Sequence, residues 1–90
     1  MWSLEYSTQF KKDLKRFKHQ RLKILALKGV LRQLANQGRP SPSFRPHMLS
    51  GRYSGCMECH VQNDFLLIWV DEGAKTVKLI RLGSHSDLFR

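Results

Sequence analysis

Apolar and polar residues alternate from the first positions of the chain. Trp2, Leu4 and Tyr6 are separated by Ser3, Glu5 and Ser7. A period of two predicts a short half-buried strand, because successive side chains of an extended chain point to opposite faces. The period then changes. Phe10, Leu14 and Phe17 recur at helical spacing, with Lys11, Lys12, Lys15, Arg16 and Lys18 filling the other positions. This predicts an amphipathic helix with a basic outer face. Ser7 or Thr8 is placed to cap it, accepting a bond from a first-turn N–H that has no helical partner. A second helix is expected from about His19 to Asn36, where Ile24, Leu27, Leu31 and Leu34 form a stripe that Val30 widens. Gly29 weakens it by about 1 kcal/mol relative to alanine and is expected to permit close packing of helix on helix. Gly38 followed by Pro40 ends it.

Residues 38–52 then form one long loop, expected to lack regular structure. Its three prolines fix the path of the chain. Phe44, Met48 and Leu49 favour an ordered loop, and loops of this length in small domains are usually functional or disordered. Three strands follow. Tyr53 to Val61 is the first, with Met57, Cys59 and Val61 on one face and Glu58 and His60 on the other. Phe65 to Val70 is uniformly apolar, which predicts a central strand covered on both faces. Thr76 to Leu82 is the third, ending at Gly83. The expected fold is α+β over a single domain, residues 1–90: an N-terminal strand, a two-helix hairpin and a three-stranded antiparallel meander. The helices pack on one face of the sheet, and the other face is left partly open, where His60 could line it.

Charge changes this picture more than composition does. A hydrophobic share of 41% fits an ordinary globular fold. Lys and Arg number 16 against 7 Asp and Glu, a net charge of +9. Ten of the basic residues lie in 1–39, beside only Glu5 and Asp13. Such a field attracts polyanions, nucleic acid foremost; an acidic protein partner would be attracted by it as well. The longest apolar run is far short of the roughly 20 residues that cross a bilayer. The N-terminus lacks the pattern of a signal peptide. Both point to a cytoplasmic protein with no membrane partner, in which Cys56 and Cys59 are free thiols.

The chemistry concentrates at the end of the chain, in Arg81-Leu82-Gly83-Ser84-His85-Ser86-Asp87-Leu88-Phe89. An arginine, a histidine and an aromatic ring lie around a glycine turn. A site handling a phosphodiester needs that mixture: a fixed cation, a group titrating near neutral pH, and a ring on which a base stacks. Bland readings stand beside this one. Arg81 could be an ion-pair partner of Asp64 or Asp87, Phe89 a core plug, and Asp64 a turn residue bonding its own backbone. Strict alternation would also put Leu79 and Val77 on the same open face as Arg81. Because the sheet is expected to end before Ser84, removing Ser84 to Arg90 should leave a folded domain. Cys56-x-x-Cys59-His60 spells a haem-attachment motif, but in a strand, residues three apart point to opposite faces, which argues against haem and zinc alike.

Longer patterns carry a resemblance. His47-x-Leu49-x-Gly51, Tyr53-x-Gly55, Glu58-x-His60-Val61, Asp64-x-Leu66-Leu67-Ile68 and the whole tail from Arg81 to Phe89 resemble the YafQ branch of the RelE/ParE superfamily of bacterial toxins. The start, Tyr6-Ser7-x-x-Phe10-x-x-Asp13, matches in layout, so the resemblance spans nearly the whole chain. It implies a RelE-like, microbial-ribonuclease-like fold and a type II toxin that enters the ribosomal A site and cuts mRNA without metal or other cofactor. The RNA's own 2′-hydroxyl attacks the adjacent phosphate, leaving a 2′,3′-cyclic phosphate and a 5′-hydroxyl. It also implies a cognate antitoxin of the DinJ/RelB kind, with operator DNA bound only through the complex. By motif position the family's functional residues fall on His47, His60, Asp64, Arg81, His85 and Phe89.

Transesterification of RNA needs a base, an acid and a cation on the phosphorane. His85 is taken as the acid, His60 with Asp64 as the base side, His47 as an auxiliary proton donor or phosphate ligand and Arg81 as the cation; the residues alone leave acid and base interchangeable. Phe89 is the stacking ring, and Arg45, Arg52, Lys11 and Lys15 are the further substrate contacts. A ParE-like gyrase poison without nuclease activity, or a plain basic nucleic-acid-binding module, is the alternative.

Overall fold

The computed structural model describes residues 1–89. The element order is β1 (Ser3–Tyr6), α1 (Thr8–Phe17), α2 (Arg21–Gln37), β2 (His47–Met48), β3 (Met57–Gln62), β4 (Phe65–Gly73), β5 (Thr76–Gly83) and α3 (His85–Leu88). Single 3-10 turns at Pro42–Phe44 and Gly51–Tyr53 flank β2. The strands form one sheet in the order β1-β5-β4-β3-β2. β1 runs parallel to β5, and the other neighbours are antiparallel.

Local chemistry sets the helix ends. Ser7 is the cap of α1: its backbone is extended and its hydroxyl accepts from Phe10 N–H at 2.9 Å. The same hydroxyl donates to the Ile80 carbonyl at 3.0 Å, which ties the start of α1 to β5. Gly38 ends α2 in the left-handed region, φ 79°, with its N–H on the Leu34 carbonyl. A Cβ there would stand 2.6 Å from the Trp2 ring, so both conformation and space require glycine. Gly29 behaves differently from expectation. Nothing lies within 4 Å of a Cβ built on it, so no element packs closely at that point.

The helices cover one face of the sheet. Phe10, Phe17, Leu27, Val30 and Leu34 pack there against Cys59, Val61, Leu67, Trp69, Val77, Leu79 and Leu82. β4 lies in the middle, and Phe65 to Trp69 are all buried, which accounts for its unbroken apolar run.

Three expectations need correction. The loop over 38–52 contains a strand: β2 pairs with β3, His47 opposite Glu58 and Met48 opposite Met57. The strand expected from Tyr53 begins only at Met57, because 51–53 make a 3-10 turn and Gly55 has a positive φ of 89°. The face expected to be partly open is largely covered. Leu66, Ile68 and Leu88 are buried in a second cluster, with Leu49, Tyr53, Cys56 and Ile80 against them. Leu88 sits on α3, so the tail closes this cluster, and removing Ser84 onward would expose Leu66 and Ile68. Cys56 and Cys59 fall in the two different clusters, on opposite faces of the sheet.

The parity of β5 is resolved by a bulge. Ile68 pairs with Arg81 but Trp69 pairs with Leu79, so Ile80 is the extra residue. A bulge resets the alternation. Val77, Leu79 and Leu82 therefore all join the helix-side core, while Ile80 packs on the second cluster and Arg81 is released from the core. Among the described residues no helix is long and apolar enough to cross a membrane.

Candidate active site

Three imidazoles and a phenyl ring stand in a row on the side of the sheet away from α1 and α2. Ring centroids are 6.2 Å apart for His47 and His60, 6.3 Å for His60 and His85, and 5.8 Å for His85 and Phe89. They come from three elements: His47 from β2, His60 from β3, and His85 and Phe89 from the two ends of α3. The second apolar cluster beneath them is the floor.

His60 is in the middle, with partial burial. Burial, then the positive charge of Arg45, hold its imidazole below the ordinary value of 6.5; His47 and His85 push the same way and Glu58 opposes them. The neutral, proton-accepting form is therefore favoured near neutral pH. His47 is fixed from both sides: Nδ1 lies 2.9 Å from the Arg45 carbonyl and Nε2 3.1 Å from Oε1 of Glu58. Both ring nitrogens are thereby occupied. Glu58 is itself buried, and among the described residues its Oε2 has no hydrogen-bond partner. Burial and the Glu58 charge push the neighbouring Cys59 thiol up to about 12, which leaves it inert.

Asp64 is paired with His85, not His60. Its Oδ1 accepts the His85 backbone N–H at 2.9 Å and faces His85 Nδ1 at 3.1 Å. These bonds hold the Asp64 carboxyl below the usual range, the backbone N–H contributing most. With Nδ1–H engaged by Asp64, Nε2 is the His85 nitrogen that can pass a proton.

Arg81 pairs with neither Asp64 nor Asp87. Its Nε donates to Oδ2 of Asp13 at 2.8 Å, Nη2 to Oδ1 at 3.2 Å, and Nη1 to the Tyr53 hydroxyl at 3.3 Å. The Asp13 bonds raise the guanidinium further above its already high value, so it stays charged. Asp13 also accepts from Leu82 N–H at 2.9 Å and from Gln9 at 3.0 Å. A buried carboxylate so fully bonded is a rigid anchor.

The tail is held at three further points. Ser84 and Asp87 make a reciprocal capping box on α3. Asp87 is held below the ordinary carboxylate value chiefly by the Ser84 N–H, and its Oδ1 accepts from Arg16 of α1 at 3.2 Å. A Cβ on Gly83 would come 2.9 Å from Asp87 Oδ2, so this closure requires glycine. Arg52 Nη1 and the Tyr53 hydroxyl both donate to the Leu88 carbonyl, and the Tyr53 ring meets Phe89 edge-on at 5.6 Å.

The structure thus gathers His47, His60, Asp64, His85 and Phe89, with Arg81 anchored next to them through Tyr53. Arg45 adjoins His60 and His47; Arg52 is engaged with the tail backbone. Lys11 and Lys15 are exposed on α1 and join none of these contacts. Sequence reasoning missed Asp13, Tyr53 and Glu58. Asp13 left a signal: three residues after Phe10 and four before Phe17, a carboxylate lies on the apolar stripe of α1. Among the described residues no three His, Cys, Asp or Glu side chains converge on a possible metal position.

Fold and site together define a small, basic α+β protein with a histidine-lined surface closed by its own C-terminus. The family described as "Bacterial toxin of type II toxin-antitoxin system, YafQ" matches residues 2–90, and the chain belongs to that family. It is 32% identical over 87 residues to the mRNA interferase toxin YafQ of Escherichia coli K12, covering 96% of this chain and 94% of that one. The crystal structure of the E. coli DinJ-YafQ complex superposes with a TM-score of 0.85 at 31% identity, over 100% of both chains. A metal-bound toxin from Helicobacter pylori superposes with a TM-score of 0.84 at 36% identity, covering 99% of this chain and 100% of that one.

Proposed function

We propose that this toxin is an endoribonuclease that cuts mRNA in the ribosomal A site by internal transesterification. The observation that supports it most is the row of three imidazoles whose partners differ. His60 is partly buried beside Arg45 and biased towards the neutral form, while His85 is exposed with its Nδ1 on the Asp64 carboxylate at 3.1 Å. A ring kept neutral suits the base, and a ring oriented by a carboxylate with Nε2 left free suits the acid. His60 takes the proton of the 2′-hydroxyl, the 2′-oxygen attacks phosphorus, and the bond to the 5′-oxygen breaks as His85 Nε2 protonates that oxygen. The products are a 2′,3′-cyclic phosphate and a 5′-hydroxyl, and the two imidazoles are left with their protons exchanged. Asp64 thus works on the acid side.

His47, next to His60, is the auxiliary proton donor or phosphate ligand, exchanging its Glu58 contact for a non-bridging oxygen. Arg81 has three N–H donors engaged, and the rest of its fork supplies positive charge for the phosphorane. Phe89 stacks on a neighbouring base. Arg45, Arg52 and the outer lysines of α1, Lys11 and Lys15, contact phosphates of message or ribosomal RNA, contacts that salt weakens. A cognate antitoxin of the DinJ/RelB kind holds the protein inactive in the cytoplasm, and operator DNA is reached only through that complex.

Inducing the protein and mapping mRNA 5′ ends by primer extension, on translated and untranslated copies of one message, tests this. New ends bearing 5′-hydroxyls are expected on the translated copy alone. Intact message during growth arrest would contradict it and favour a non-nuclease toxin.

A further inference from the structure

A cavity of about 410 Å³ opens beside His60, between the 3-10 turn at Pro42–Phe44 and the β3–β4 turn. Its walls include Phe44, Arg45, Gln62 and Asn63. The proposed chemistry uses His60 but none of the rest of this lining except Arg45 as a phosphate contact.

The lining is of a particular kind. Phe44 is partly buried and packed on the helix-side core, so its ring is a fixed platform. Gln62 donates through Nε2 to the Leu22 carbonyl at 3.3 Å, which holds the amide and leaves Oε1 as an acceptor. Asn63 is exposed in the turn, with donors and an acceptor on one amide. A phosphate recognises donors only. A ring beside groups that both donate and accept matches the face and edge of a base.

Position and backbone agree. Phe89 stands against His85 and Tyr53 and does not line this cavity. The histidine row therefore has two separate aromatic platforms, Phe44 by His60 and Phe89 by His85, one for each side of a phosphate held between them. Two non-glycine residues beside the cavity adopt the left-handed conformation, Arg45 at φ 52° and Asp64 at φ 47°. That conformation serves tight turns, and Ala74 and Lys75 adopt it in the β4–β5 turn as well. At Arg45 it closes the turn that carries Phe44, through an N–H bond to the Pro42 carbonyl at 2.9 Å.

We propose that the cavity walled by Phe44, Arg45, Gln62 and Asn63 receives one unstacked nucleobase adjoining the scissile phosphate and sets base preference at that position. This rests on the nuclease reading above. Asn63 reads the base edge, Phe44 stacks on its face, and Arg45 holds the flanking phosphate.

The test uses the full chain, expressed with a translated reporter carrying randomised codons, and sequences every new 5′ end. Wild type should show a base preference at a position next to the cut. Asn63→Ala should flatten that preference by about tenfold, the scale of one paired base-edge contact, while preferences elsewhere persist. Phe44→Leu should lower cutting at all sequences and leave the base preference as in wild type, with circular dichroism confirming the fold. A wild-type base profile retained by Asn63→Ala would overturn the subsite and leave the nuclease standing. So would wild-type cutting with no base preference beside the cut. Absence of any wild-type cutting would overturn the nuclease reading itself, and the subsite with it.

Discussion

Two of the carboxylates around the site are held in opposite ways. The Asp13–Arg81 pair is embedded: the side chains are 1% and 20% exposed, and Asp13 takes four hydrogen bonds in all. The Asp64–His85 pair is at the surface, 59% and 60% exposed, joined by one side-chain contact and one backbone bond. A buried, fully bonded pair has no room to exchange a proton, and losing one partner leaves the other charged in a poor solvent. An exposed pair contributes little to stability, yet it can fix the tautomer of a ring that must take up and release protons. The molecule thus separates the charge that must stay in place from the charge that must move.

Substitutions can sharpen or break that division. The largest effects fall on the imidazoles. His60→Ala and His85→Ala should each slow cleavage by about 10²–10⁴-fold, the usual share of general acid–base catalysis, with unfolding midpoints close to wild type. Single-turnover cleavage of ribosome-bound message measures the first and denaturant melts the second.

Asp13→Ala comes next and acts mainly on the fold. It leaves Arg81 and the Leu82 N–H without their partner and should cost about 3–5 kcal/mol in denaturant unfolding, as for a broken buried pair. A melt indistinguishable from wild type would remove Asp13 from its role as anchor.

Asp64→Asn should have the smallest effect. It keeps the size of the side chain and an acceptor for the His85 backbone, so the melt should not move. Cleavage should fall several-fold as the His85 ring loses the carboxylate that orients it. If Asp64→Asn unfolded the protein while Asp13→Ala did not, the two pairs would have been given each other's roles.

Much of this was legible in the chain. The switch from alternation at Trp2–Tyr6 to helical spacing at Phe10–Phe17, the Gly38–Pro40 stop and the solid apolar run at Phe65 each reflect burial by nearby elements, and local pattern reports that well. What could not be read depends on register. β2 is a strand only because His47 and Met48 meet Glu58 and Met57, and no property of the proline loop announces the pairing. The extra residue at Ile80 decides where Arg81 points, and a bulge leaves no mark on an apolar stretch. The histidines and Phe89 were found as a set through the motifs that carry them. Their partners were not, because Asp13 and Arg81 are distant in sequence and meet only across the α1–β5 contact. For the same reason Asp64 was assigned to the wrong imidazole: it follows His60 closely in sequence but lies against His85 in space.

The central claim is that His60 serves as the base because its surroundings keep it neutral, and the pH dependence of cleavage tests it directly. A base must be unprotonated, so the rate should rise with pH through the His60 value, and that value lies below the ordinary 6.5 because burial and Arg45 disfavour the charged ring. Single-turnover cleavage by wild type and by His60→Ala should be followed across this range. The account predicts a wild-type rise with its midpoint below 6.5, and a residual His60→Ala rate that lacks this limb. A midpoint above the ordinary histidine value, or the same limb in His60→Ala, would contradict it.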